Sequence, residues 1–122
     1  MGAAEAAGFY ARSWINRDRA SVRRLIAPDA EIEWNLGVPV DDEELVQTLH
    51  RIASAVGAVT LASVVCAGDR VSIVYDCAAP FGTVRVAEFL TVADGRISEI
   101  RQVWDLVGFC RYFAGLLGPE QH

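Results

Sequence analysis

Paired cysteines are missing from this 122-residue sequence: Cys66, Cys77 and Cys110 are odd in number, widely spaced and form no CxxC. They read as reduced, mostly buried thiols in a cytosolic protein, with no metal site and no cofactor implied. Histidine is almost as scarce. His50 has no second imidazole near it and His122 stands at the last position, so His50 reads as a helix-surface residue rather than a ligand or catalyst. No uninterrupted apolar run approaches the ~20 residues that span a bilayer. The opening MGAAEAAGFYARSW lacks the charged-then-apolar order of a signal peptide, and Ala6 stands where a myristoylation motif needs Ser or Thr. A membrane partner is therefore not expected. Nor is there a basic stripe: 11 basic residues are scattered among 16 acidic ones for a net charge of -5, which argues against nucleic acid.

What the chain does have is apolar mass. Hydrophobic residues make up 52% and charged residues 22%, the balance of a soluble globular chain, and the length suits one domain over residues 1–122. The spacing predicts a helix from about Ala3 to Asn16, with Ala3, Ala7, Tyr10 and Trp14 on one stripe. A second, short helix covers Ala20–Ile26 and stops at Pro28-Asp29. Ala30–Leu36 alternates as a half-buried strand, with Ile32 and Trp34 on one face. Asp41 or Asp42 caps a third helix whose buried stripe is Leu45, Leu49, Ile52 and Val56. Val59–Ala67 is a strand, and Asp105 caps a last helix, Leu106–Leu117.

Between them, Val71–Asp105 reads as three strands joined by turns at Pro80–Gly82 and Asp94-Gly95, the second a strong hairpin signal because a type I′ turn needs positive φ at both central residues. Counting outward from these turns pairs Asp76 with Arg85, Val74 with Ala87 and Ser72 with Phe89. On the next strand the same count pairs Arg85 with Trp104, Ala87 with Gln102 and Phe89 with Ile100. Alternation then places Asp76, Arg85, Val74, Ala87, Phe89, Gln102 and Trp104 on one face. The other face carries Ile73, Tyr75, Val86, Leu90 and Val103, with Glu88 opposite Arg101 as a surface or interface salt bridge. So many apolar residues need a cover, most simply a second copy of the chain, which makes a homodimer through that face the expected assembly.

Helices segregated from an antiparallel sheet indicate the α+β class. The element order and three stretches, YARSWINRDRASVRRLIAPDAEIEW, VAEFLTVADGRISEIRQVWD and DLVGFCRYFAGLL, resemble the NTF2-like superfamily and, within it, SnoaL-like cyclases, ketosteroid isomerases and limonene epoxide hydrolases. The resemblance implies a cone in which a curved antiparallel sheet wraps around the N-terminal helices and encloses a pocket. Tyr10 falls where ketosteroid isomerases carry an oxyanion-hole tyrosine, but Trp34 and Ala87 stand at their base and protonated-aspartate positions. Asp76 and Gln102 fall on the two catalytic aspartates of the epoxide hydrolases, and Val74 on their arginine.

With the Asp76 face inward, the expected catalytic set is Asp76, Arg85, Gln102 and Tyr10, and the substrate-binding set is Trp14, Ile32, Trp34, Val74, Ala87, Phe89 and Trp104. Such a pocket suits acid/base chemistry on a hydrophobic oxygenated small molecule: cyclisation, isomerisation or epoxide opening. Two alternatives stay open at this point. The Asp76–Arg85 pair fits a solvated face as a structural cross-strand bridge, and a pocket plugged by Trp34 and Trp104 leaves a ligand-binding or dimerisation module with the same fold.

Overall fold

A computed structural model describes residues 2–36, 40–79 and 82–107. The expected last helix, Cys110, His122 and the Pro80-Phe81 turn tip lie outside them, wholly or in part. The elements run α1 (Ala3–Ile15), α2 (Arg19–Leu25), β1 (Ile26–Trp34), α3 (Asp42–Ala55), β2 (Ala58–Ala67), β3 (Arg70–Ala79), β4 (Gly82–Ala93) and β5 (Arg96–Trp104). One five-stranded sheet has the order β1-β5-β4-β3-β2, with β1 parallel to β5 and every other pair antiparallel. The sheet is therefore mixed, and the fold is the α+β NTF2-like cone. No described helix is long and apolar enough to cross a membrane.

Small residues let α1 approach the sheet closely. Ala6, Ala7 and Ala11 are fully buried beside Tyr10 and Trp14, and the helix touches β2, β3, β4 and β5. Asp18 starts α2 by accepting from the Ser21 backbone N–H at 3.1 Å and from the Ser21 hydroxyl at 2.6 Å. Asp41 starts α3 by accepting from the Glu44 N–H at 2.8 Å, and Leu45, Val46, Leu49 and Ile52 form its buried stripe. β1 begins at Ile26, four residues before the expected Ala30. Its pairing with β5 is irregular between Ile26 and Glu31; Pro28, which has no N–H to give to a ladder, lies in that gap.

The turn chemistry holds where the sequence is most explicit. Asp94 and Gly95 both adopt positive φ, 54° and 74°, and Ala93 faces Arg96. Replacing Gly95 by Ala imposes a Cβ on this left-handed backbone, and urea unfolding should show a loss of about 1–2 kcal/mol. The β3/β4 register is also the expected one, with Asp76 facing Arg85, Val74 facing Ala87 and Ser72 facing Phe89.

The β4/β5 register departs from expectation two residues beyond the turn. Val92 pairs with Ile97 and Thr91 with Glu99, so Ser98 is an extra residue on β5. Its hydroxyl donates to the Thr91 carbonyl at 3.2 Å. Past this bulge each partner is displaced by one: Leu90 faces Ile100, Glu88 faces Gln102 and Val86 faces Trp104. A one-residue slip moves side chains to the opposite face of the sheet, so Gln102 and Trp104 leave the Asp76 row and join the Glu88 row.

The helices cover the other face from the one expected. Val71, Ile73, Tyr75 and Cys77 of β3, Val84, Val86, Glu88, Leu90 and Val92 of β4, and Ile97, Ile100, Gln102 and Trp104 of β5 are all buried. The chain's own helices cover these apolar rows, so the argument that they require a second copy falls away. Val103, expected among them, is instead 50% exposed, and Phe89, on the face that the described helices leave uncovered, is 46% exposed. The thiols divide as well: Cys77 is buried, and burial pushes its pKa up to about 12, whereas Cys66 on the edge strand β2 is exposed.

Candidate functional site

At the middle of the covered face β4 carries one acid in an otherwise apolar row, Val84, Val86, Glu88, Leu90 and Val92, and Glu88 is completely buried. Tyr10, carried by α1, donates its hydroxyl to Glu88 Oε2 at 2.7 Å. Gln102 on β5 donates Nε2 to the same oxygen at 2.9 Å, and its own Oε1 accepts from Trp104 Nε1 at 3.1 Å. The indole thereby fixes which way the Gln102 amide points. The end of β5 is held in turn by Asn35: its Oδ1 accepts from the Trp104 N–H at 2.8 Å and its Nδ2 donates to the Trp104 carbonyl at 3.1 Å.

Charge is the unusual feature of this cluster. No arginine forms an ion pair with Glu88 among the described residues. Desolvation therefore raises its carboxyl above the ordinary range, against the opposing pull of hydrogen-bonding groups on Gln102, Tyr75, Tyr10 and Trp14. Burial, with the negative charge of Glu88 next, likewise holds the Tyr10 and Tyr75 phenols well above their usual values. Both phenols are thus neutral donors around a carboxyl that titrates late.

This raised pKa has a stability consequence of definite sign. Folded Glu88 binds its proton more tightly than the unfolded chain does, so its contribution is fully present below the ordinary value of 4.5 and is lost as pH rises through the folded value. Urea unfolding from acid to alkaline pH should show this decline in the wild type, with the Glu88→Gln protein lacking that component.

The expected site residues separate into two groups. Tyr10, Trp14, Gln102 and Trp104 surround or adjoin Glu88 on the covered side. Asp76, Arg85, Val74, Ala87 and Phe89 share the uncovered side, where Arg85 grips Asp76 in two bonds, Nε to Oδ1 at 2.8 Å and Nη2 to Oδ2 at 3.0 Å. Hydrogen bonding from Arg85 holds Asp76 below the usual carboxylate range, and the guanidinium side chain is 67% exposed. This is a cross-strand ion pair on the side of the sheet that the described helices leave uncovered. Ile32 and Trp34 are half-buried on β1 and border a groove of about 770 Å³ together with Arg70, Ser72, Phe89 and Val103.

Glu88 does not form the salt bridge with Arg101 that the turn count predicts. Arg101 turns to Glu99 at 3.2 Å and Glu33 at 3.5 Å on the uncovered side, while Glu88 faces the helices. His50 is half-buried rather than on an open helix surface, and burial, with Arg19 and Arg17 nearby, lowers its pKa.

Comparison with known proteins places this geometry in a family. A protein from Kribbella flavida superposes with a TM-score of 0.79 at 23% identity, covering 91% of this chain and 93% of its own. IdmH, a candidate polyketide cyclase from Streptomyces antibioticus, gives 0.73 at 21% identity over 88% of this chain and 94% of its own. A steroid delta-isomerase from Pseudomonas aeruginosa gives 0.68 at 15% identity over 84% and 78%. No curated protein matches the sequence. The family model of the SnoaL-like domain matches residues 6–100, a stretch that runs from α1 to Ile100 and holds Tyr10, Trp14, Tyr75 and Glu88. The chain belongs to the SnoaL-like family of the NTF2-like superfamily.

Proposed function

We propose that the protein is an acid/base enzyme acting on an apolar, oxygenated small molecule, with Glu88 as the group that moves the proton. One observation carries this reading: a carboxyl sits in an apolar layer with no cationic partner among the described residues, oriented by Tyr10 and Gln102 through a single oxygen. A structural carboxylate is normally paired, because an unpaired buried charge is costly. A proton-transfer group, by contrast, works best when its pKa is lifted toward the working pH. The structurally similar candidate polyketide cyclase and steroid delta-isomerase suggest the reaction types that fit, cyclisation and isomerisation, and a base that removes a proton from the substrate can begin either one. Epoxide opening, where the proton comes from the attacking hydroxyl or water, uses the same group.

Tyr10 and Gln102 occupy Oε2, which leaves Oε1 as the basic oxygen. Tyr10 keeps its own proton because its phenol is held far above neutrality. A substrate-independent probe tests the reading: 5-nitrobenzisoxazole, whose ring C–H proton passes to a carboxylate as the N–O bond breaks to release a coloured nitrophenolate. Wild-type protein should accelerate this elimination, with a rate that rises as Glu88 ionises. The absence of acceleration, or acceleration that survives in Glu88→Gln, contradicts the proposal.

A further inference from the structure

Gln102 stands between Glu88 and Trp104. Its amide is nearly symmetric in shape and opposite in polarity at its two ends, so a single buried contact decides which end meets the carboxyl. Trp104 Nε1 can only donate, and it donates to Gln102 Oε1 at 3.1 Å; Gln102 Nε2 is thereby left to donate to Glu88 Oε2 at 2.9 Å. Turning the amide over would set hydrogens against each other at the indole and oxygens against each other at the ionised carboxyl. Gln102 and Trp104 are each 2% exposed and Glu88 is fully buried, so bulk solvent relieves neither mismatch.

The indole is held in turn. Gln102 and Trp104 are two apart on β5 and share the covered face, where the Ser98 bulge puts them. On one side Trp104 pairs with Val86 of β4, and on the other the Asn35 side chain, directly after β1, takes both its main-chain N–H and its carbonyl.

Tyr10 and Trp14 face Glu88 from α1, Tyr75 from β3 and Gln102 from β5. Of these only the two phenols titrate, and both keep their protons far past neutrality. A donor fixed at Oε2 favours the carboxylate over the carboxylic acid. An amide free to turn would instead accept the acid's proton on its own oxygen and favour the neutral form.

We infer that Trp104 is a positioning residue of the acid/base site: by locking the Gln102 amide with its nitrogen toward Glu88, it favours the form of the carboxyl that can take a proton. The inference rests on the reading of Glu88 as the acid/base group and deepens it, since it names what sets that group's working pH range. Trp104 acts through Gln102.

The test follows the Glu88 carboxyl carbon by NMR through a pH titration. Trp104→Phe keeps an aromatic ring but removes the indole N–H, and it should raise the midpoint by about one pH unit, the preference of one hydrogen bond between the two protonation states. In a Gln102→Met background, where there is no amide to turn, the same substitution should move the midpoint by no more than about 0.3 unit. A loss of packing alone would act equally in both backgrounds. A wild-type measurement covers the case in which Trp104→Phe does not fold: the Trp104 indole proton should shift with the same midpoint as Glu88, because the ionised carboxyl polarises the Gln102 amide and strengthens the bond at its far end. An unchanged or lowered midpoint in Trp104→Phe, an equal rise in the Gln102→Met background, or an indole proton indifferent to Glu88 ionisation overturns the inference. The difference between variants is read whether or not the protein accelerates benzisoxazole elimination, so failure here and failure of the Glu88 assignment are distinguishable.

Discussion

Glu88→Gln should lower the rate of benzisoxazole elimination by about 10²–10⁴-fold, the usual contribution of a positioned general base, while Asp76→Asn leaves it unchanged. Glutamine has nearly the shape of glutamate, and its side-chain oxygen still accepts from Tyr10 and Gln102, so the covered face should keep its packing. Only the ability to take a proton is lost. Asp76 is a matched control: it too is a carboxylate on the same sheet, but Arg85 pins it in the ionised state on the uncovered side. A base whose pKa is pulled down is a weak one, and it does not face the buried cluster. Stopped-flow absorbance of the nitrophenolate measures both variants. The reverse pattern, loss in Asp76→Asn and retention in Glu88→Gln, would move the chemistry to the open face.

Trp14→Ala should destabilise the protein by about 3–5 kcal/mol in urea unfolding, the cost of removing a large aromatic side chain from a packed interior. Trp14 is 2% exposed, stands against the Tyr75 ring at an interplanar angle of 64°, and ties α1 to β3 at the level of the Glu88 cluster. Domains of this size are stable by only about 5–15 kcal/mol, so the variant should lose a large share of its folded margin. A cost below about 1 kcal/mol would mean that α1 does not pack on the sheet as described.

Much of the architecture could be read from local chemistry. Asp94-Gly95 specified the hairpin, the Asp41-Asp42 pair the start of α3, where Asp41 is the cap, and the spacing of Ala7, Tyr10 and Trp14 the face of α1 that meets the sheet. Two physical facts hid the site. The first is the bulge at Ser98, which a count from the turn cannot see. A trace of it exists in the sequence: Ile97 and Ile100 are both apolar and three apart, and they can both face inward only if one residue between them is left out of the alternation. The second is the choice between faces, since alternation sorts residues into two rows without saying which row is inside. The row of Ile73, Tyr75, Val86, Leu90 and Val92 is more apolar than that of Val74, Asp76, Arg85, Ala87 and Phe89, and burial follows apolar mass. Seen this way, Glu88 is the informative residue: a lone acid in the more apolar row.

The carboxyl carbon of Glu88, followed by NMR through a pH titration of the intact protein, tests the account most directly. A midpoint clearly above the ordinary 4.5 is predicted, since burial outweighs the hydrogen bonds that Glu88 accepts. A midpoint at or below that value would show a carboxylate in contact with solvent or with a cation, and would contradict the assignment of Glu88 as the proton-transfer group.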